Sequence, residues 1–248
     1  MGRNALIWAG FAAALIWAGF GADMGLEHLG GSGARFSEFL GRMLPPDLTI
    51  WREVLRGLSE TLRIAILGTV FAIILSTGLG ILASSRLMPT VIWRPVRALL
   101  AIIRSIPLIL VAMLMVGAVG LGPLPGILAV TFHATGMLAK FYAEAVDASA
   151  LAPVRAVESA GGNRLQQLRW AIWPAIAPTI LRDTVFRFEL NLRESLILGI
   201  VGAGGIGLYV QTYVRSFQYE KAATVTLAII ALVLLSERIN TALQRRYS

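Results

Sequence analysis

Long apolar runs without a charged residue constrain this chain more than any other feature. A helix needs roughly 20 apolar residues to cross the hydrocarbon core of a bilayer. Ala5–Ala22 and Ile64–Ser85 are runs of this kind. Ser105–Leu138 is interrupted only by His133 and is too long for one helix; Gly120–Gly126, reading GLGPLPG, breaks it in two. Ala222–Ser236 is a shorter run that must recruit its flanks. Pro178–Val201 is a weaker candidate, because it carries Asp183, Arg187, Glu189, Arg193 and Glu194. The pattern predicts an all-α polytopic membrane protein with about six transmembrane helices, one of them charged. A cleaved signal peptide with Arg3 as its basic end is the other reading of the first run.

Composition agrees with the runs. Apolar residues make up 56% and charged residues 15%, whereas soluble chains carry about 25% charged residues. Too little charge remains to cover a water-soluble surface, which argues against both a disordered chain and an ordinary cytosolic enzyme. Cysteine is absent, which removes disulfides, thiolate nucleophiles and Cys-based metal sites. His28 and His133 lie far apart, and no GxxxxGK[ST] loop occurs. If ATP is used, another chain hydrolyses it.

A net charge of +8 and a pI of about 10.7 invite a nucleic-acid reading, and the positions of the charges decide the matter. With the N-terminus inside, the inner segments hold Arg3, then Arg86, Arg94 and Arg97. Lys140, Arg155, Arg164 and Arg169 follow, and then Arg238, Arg245 and Arg246. The outer arginines Arg35, Arg42, Arg52 and Arg56 are accompanied by Asp23, Glu27, Glu38, Asp47, Glu53 and Glu60. The basic residues therefore set topology, with both termini cytoplasmic. Nucleic acid is not an expected partner; the lipid bilayer is.

Three regions follow. Residues 1–22 form the first transmembrane helix, and residues 23–62 an extracytoplasmic amphipathic elbow. Residues 63–246 form a core of five transmembrane helices with a cytoplasmic loop at 144–174. In the elbow, Phe36, Phe39, Leu40 and Met43, then Leu48, Trp51, Leu55, Leu58 and Leu62, recur at helical spacing on either side of Pro45-Pro46. That pattern predicts a pair of surface helices at the outer interface.

The loop Glu144–Pro178 reads EAVDASALAPVRAVESAGGNRLQQLRWAIWPAIAP. Pro153 can start a short helix and Gly161-Gly162 can stop it. An exposed short helix between two spans suits a groove on a partner, although an ordinary loop is the plainer reading. The segment resembles the EAA coupling loop of ABC importer permeases: EAA, three residues, glycine, nine residues, then I-x-L-P. With Pro174 as anchor, Gly161 and Ala156 match. Arg155 replaces the usual glutamate, Val157 the second alanine, Ala171 the isoleucine and Trp173 the leucine. Glu158, one turn later, could supply the missing acid.

The resemblance sharpens in RFELNLRESLILGIVGAGGIG (Arg187–Gly207). This stretch is similar to the permeases of phosphonate and phosphate-analogue ABC importers, within the type I importer permease family. LPPDL (Leu44–Leu48), RSIP (Arg104–Pro107), VGLGPLPG (Val119–Gly126) and HATGMLAKFYAEA (His133–Ala145) fit the same family. Leu108 stands where related sequences often have glutamate. The resemblance implies a transport subunit in the bacterial cytoplasmic (inner) membrane, not an enzyme. It also implies a homodimer, a cytoplasmic ABC ATPase dimer and an extracytoplasmic solute-binding protein. ATP and Mg would be bound by the ATPase, with no cofactor on this chain. The coupling contacts would involve Arg155, Ala156, Val157, Glu158, Gly161 and Pro174.

Charges inside a span need partners or a cavity. Asp183 and Arg187, like Glu189 and Arg193, stand four apart with the acid first, which predicts two intrahelical ion pairs. The alternative is a translocation path in which Arg187, Asn191 and Arg193 present donors to an oxyanion. Arg187, Asn191 and Glu194 share one face, and Arg193 points elsewhere. Arg104 can snorkel to the inner interface, while His133 is either functional or bonded to a neighbouring helix. Gly202–Gly207 spells GxGxxG without the strand–helix context of a dinucleotide site. It reads better as a close-packed break whose exposed amides, at Gly204 and Gly205 among others, could meet an anion. Two rivals remain: an ion-coupled secondary transporter, for which no inverted halves are visible, and a lipid-phosphate enzyme, for which no acid cluster is visible. An ABC permease for a different small solute is a closer alternative.

Overall fold

The computed structural model describes residues 2–21 and 32–247, without the side chains of Arg3, Ala5, Leu6 and 243–247. Asp23, Glu27 and His28, and the side chains of Arg3, Arg245 and Arg246, therefore lie outside the described residues. The described residues form helices and turns, with no strand among them. They fall into two units, residues 1–45 and 46–248. The first contains α1 (Gly2–Gly21), with apolar residues on every side, and α2 (Ser32–Arg42). In α2 Arg42 pairs with Glu38 at 2.8 Å, one turn away.

The second unit opens with Asp47, whose carboxylate accepts from the Thr49 amide at 2.9 Å and hydroxyl at 2.6 Å. Those bonds cap a short 3-10 turn, Leu48–Ile50, and hold the Asp47 carboxyl below its usual value. Helix α3 (Trp51–Ala83) follows without interruption for 33 residues. At 1.5 Å per residue it is about 50 Å long, well beyond a hydrocarbon core of about 30 Å. The second half of the expected elbow is therefore the first turns of a spanning helix and not a separate surface helix.

Helix α3 meets α6 (Pro123–Ala148) along a seam of small residues. Gly68, Ala72, Ser76 and Gly80 recur every four positions on that seam and are buried, while Gly57 and Thr61, earlier on the helix, face Ile206 instead. A Cβ at Gly68 would lie 2.6 Å from Val130, and one at Gly80 would lie 2.8 Å from Tyr142. Within lipid, such close approach and a few side-chain bonds replace the hydrophobic drive. Here Ser76 donates to the Thr135 carbonyl at 3.2 Å, and Thr131 to that of Gly68 at 3.4 Å.

Between α3 and α6 run α4 (Thr90–Ser105) and α5 (Leu108–Val119), bent by 86° to one another. Pro107 causes the bend: it lacks an N–H and forces Ile106 into an extended conformation. The break expected at 120–126 is present, since α5 ends at Val119 and α6 begins at Pro123. The span expected from Ser105 is nonetheless only the 12-residue α5, too short to cross alone.

Beyond α6 come α7 (Leu151–Ser159), α8 (Arg164–Gln167), a π turn at Leu168–Ile172 and α9 (Trp173–Leu198). A glycine-rich turn leads to α10 (Gly207–Arg215) and α11 (Tyr219–Tyr247). Among the described residues the α3, α6 and α11 segments contain apolar stretches long enough to span, and the number is four if the bent α4–α5 pair is one span. The charges of α9 keep it below that apolar threshold, and the described apolar stretch of α1, Ile7–Phe20, is too short.

Of the described glycines, Gly207 in the turn after α9 leaves the least room for a side chain. A Cβ on Gly207 would lie 1.9 Å from the Leu196 carbonyl oxygen, which is backbone and cannot swing away. Gly207→Ala is therefore expected to cost about 1–3 kcal/mol through overpacking. A lowered unfolding midpoint of the purified variant would show it, and an unchanged midpoint would contradict the packing.

Candidate functional site

Two places bring polar side chains together. The first is the loop at the α6–α9 end of the fold. Helix α7 has no buried residue; Arg155, Ala156 and Glu158 are exposed and Val157 half-buried. Pro153 is its third residue, compatible with a first turn whose amides have no helical partner. Gly161 ends the helix at φ +80°, a left-handed conformation that glycine adopts without a side-chain clash. The Gly161 amide donates to Glu158 at 2.9 Å and the Gly162 amide to Val157 at 2.8 Å. Asn163 and Gln166 then cap α8 reciprocally, each side chain bonding the other's backbone. Pro174 lies exposed in the first turn of α9.

A hub that the sequence reading missed anchors this loop. The Asp147 carboxylate accepts from the hydroxyls of Ser84 at 2.6 Å and Ser85 at 2.8 Å. It also accepts from the Ser85 and Arg86 amides and from Arg97 at 2.6 Å. Arg86 donates onward to the Ser149 carbonyl, and Arg164 of α8 to the Leu87 carbonyl at 3.0 Å. The end of α6, the α3–α4 turn and α8 are thus tied beneath α7. A Ser-Ser-Arg run at a helix end was the available signal, but it needs a partner acid that only the fold supplies.

The second place is the face of α9 toward α6 and α3. Arg187 is the largest fully buried side chain, 1% exposed. Its Nη2 donates to Glu194 at 2.7 Å and lies 3.0 Å from Nδ1 of His133 on α6. Its Nη1 reaches the Met137 sulfur at 3.3 Å. The expected Asp183–Arg187 pair does not form; Asp183 lies 3.7 Å from Arg182 instead. Seven residues are nearly two whole turns, so Glu194 shares the Arg187 face toward α6, where His133 and Met137 also meet the guanidinium.

Asn191, also fully buried, donates to Thr69 of α3 at 2.8 Å. His133, Arg187 and Asn191 are therefore brought together. Arg193 is not with them: it forms the expected pair with Glu189 at 2.6 Å and approaches Glu237 of α11 at 3.9 Å. Gly204 and Gly205 take φ of +82° and +90° within a turn that is buried, in contrast to the exposed amides expected of it. A Cβ on Gly204 would lie 2.7 Å from Glu60 and 2.8 Å from Pro123; one on Gly205 would lie 2.9 Å from Thr61. Thr61 also accepts from the Ile206 amide at 2.9 Å. The turn thus joins α9 to α3 and α6 through bare backbone. Nearby, Tyr213 of α10 donates to Glu53; desolvation and that carboxylate raise the Tyr213 phenol above its usual pKa.

Comparison with known proteins places these features in context. The family model for the binding-protein-dependent transport system inner membrane component matches residues 76–248. Over 208 residues the chain is 36% identical to the phosphite transport system permease protein PtxC of Stutzerimonas stutzeri, covering 84% of this chain and 76% of that one. It is also 36% identical over 207 residues to the phosphate-import permease protein PhnE of Mycolicibacterium smegmatis, covering 83% and 39%. Among solved structures, an inward-facing form of the MetNI methionine ABC transporter is similar in fold. It superposes with a TM-score of 0.71 at 22% identity, covering 82% of this chain and 99% of that one.

Proposed function

We propose that this chain, which belongs to the family of binding-protein-dependent transport system inner membrane components, passes phosphite, a phosphonate or phosphate across the cytoplasmic membrane. It is the transmembrane subunit of an ATP-driven importer and works by alternating access. The observation that carries the reading is its identity to a phosphite permease over 208 residues. That alignment is long enough to take in most of both polar regions.

The partners follow from the same reading. An extracytoplasmic binding protein delivers the solute, and a cytoplasmic ATPase dimer binds ATP and Mg and hydrolyses ATP. This chain holds no cofactor and catalyses no reaction. A second copy completes the path as a homodimer, with both termini on the cytoplasmic side. Helix α7, with Arg155, Ala156, Val157 and Glu158 between the Asp147 hub and the Gly161 stop, enters a groove on the ATPase. Pro174 fixes the start of α9, so displacement of α7 reaches the helix that carries Arg187.

Proteoliposomes containing this chain, its ATPase and its binding protein are expected to take up phosphite or orthophosphate only with internal ATP on the ATPase side. Uptake by this chain alone, driven by an ion gradient, would favour an ion-coupled carrier. ATP-driven uptake of an unrelated solute, with none of either oxyanion, would leave an importer of different specificity.

A further inference from the structure

A guanidinium buried within a transmembrane bundle demands compensation, and at Arg187 the compensation is incomplete. The group offers five N–H donors in a plane. Nη2 serves one oxygen of Glu194 and the His133 ring, and Nη1 has only a thioether sulfur, a weak acceptor. Nε has no partner. One turn further along α9, Asn191 donates its amide to Thr69 and leaves Oδ1 without a partner, fully buried. A cationic donor and a neutral acceptor are therefore unused on one face of one helix. Leaving either buried and unsatisfied is unfavourable, so their joint survival points to a group that visits.

The complement of that pair is an anion that also carries a hydroxyl. A tetrahedral phosphorus oxyanion with one acidic proton has both: an ionised oxygen to accept from Arg187 and a P–OH to donate to Asn191 Oδ1. Sulfate offers the charge and the shape but no proton at neutral pH. Glu194 is the obstacle to entry, since a second anion beside it is repelled. Its hold is slight, however. A single oxygen touches the guanidinium where a bidentate pair would use two, and the side chain is 25% exposed.

We infer that Arg187 and Asn191 form a transit site for a singly protonated phosphorus oxyanion, with Glu194 as the resident counter-ion that each passing anion displaces. The inference rests on the import reading and adds the place of contact and its competitor. Competition by Glu194 keeps the site weak, and a transport site must release what it binds. It also keeps Arg187 neutralised while no substrate is present.

The test uses the assembled permease–ATPase complex, purified with and without its binding protein. Without the binding protein, Glu194→Gln is expected to retain radiolabelled orthophosphate about tenfold or more better than the native complex, because the charged competitor is gone. Orthophosphate is expected to raise the melting temperature of that variant and not of the native complex. Sulfate should do neither, and Asn191→Leu in the Glu194→Gln background should remove the preference for orthophosphate over sulfate. Glu194→Asp keeps the charge but shortens the reach, so it should retain an intermediate amount and serves if the Gln variant fails to assemble.

Equal orthophosphate retention by native, Gln and Asp complexes would overturn the transit site, as would sulfate retention matching that of orthophosphate. Native uptake separates the two levels. If the complete native system imports none of phosphite, a phosphonate and orthophosphate with ATP, the import reading fails; if it imports any of them while the Glu194 variants bind as the native does, only the transit site fails.

Discussion

A chain lacking Leu151–Ser159, with the gap closed by a short Gly-Ser link, is expected to enter the membrane normally and to lose its ATPase completely. The expectation of normal insertion follows from packing. No residue of α7 is fully buried, and its half-buried Val154 only edges the core cluster of Leu87, Val146, Ile172 and Ile176, so removing it takes little from the core. The elements beneath it have their own ties: Asp147 holds the α3–α4 turn, and Arg164 holds α8 to Leu87. The expectation of lost association follows from exposure. A short helix that leaves most of its residues exposed, yet is stopped at its far end by Gly161, is shaped for a partner's groove. Co-purification with the ATPase from membranes measures the effect. A deletion variant that still brings the ATPase down at native yield would remove α7 from the interface.

Much of this architecture is legible from residue order, and the failures share a physical cause. The break at Gly120–Gly126, the stop at Gly161 and the polar character of α9 all follow from local chemistry: backbone freedom, proline geometry and charge. Sequence reading ends a span where charges begin, and so it separates 51–62 from α3. Hydrogen bonding continues through that segment because Arg52, Glu53 and Arg56 occupy other positions than the buried Val54, Gly57 and Thr61. The same limit hid the brevity of α5. RSIP was visible as a motif, but an 86° bend at its proline was not.

Side-chain partners are harder still to read from one strand of text. Spacing alone selects Asp183 for Arg187, since both lie on one helix in the favourable order. The actual environment is set by α6, which brings His133 and Met137 to the same guanidinium. The Glu189–Arg193 pair formed as expected because its other neighbours, Glu237 and Asn240 on α11, reinforce it without displacing either member. Asp147 went unnoticed for a related reason. A single acid at a helix end carries no pattern until Ser84, Ser85 and Arg97 arrive from elsewhere in the chain.

Replacing Glu194 by Met is expected to destabilise the protein by about 3–5 kcal/mol, more than replacing Arg187 by Met, with the double variant recovering much of the loss. The asymmetry comes from exposure. Glu194 left without Arg187 is 25% exposed and can hydrate, and methionine fills most of the vacated volume. Arg187 is only 1% exposed, so without Glu194 its charge is left with far less hydration than a lone Glu194 would have. Among the described residues its other hydrogen-bond partners are His133 and Met137, and neither supplies a permanent negative charge. Removing both charges eliminates the uncompensated one, at the cost of an ion pair whose own net contribution is small. Unfolding of the purified variants in mixed detergent, followed by tryptophan fluorescence, gives the three free energies and the coupling between the sites. Additive losses in the double variant would show that the two side chains do not act as a pair. A larger loss for the Arg187 variant than for the Glu194 variant would show that lost packing, and not an unpaired buried charge, governs this face of α9.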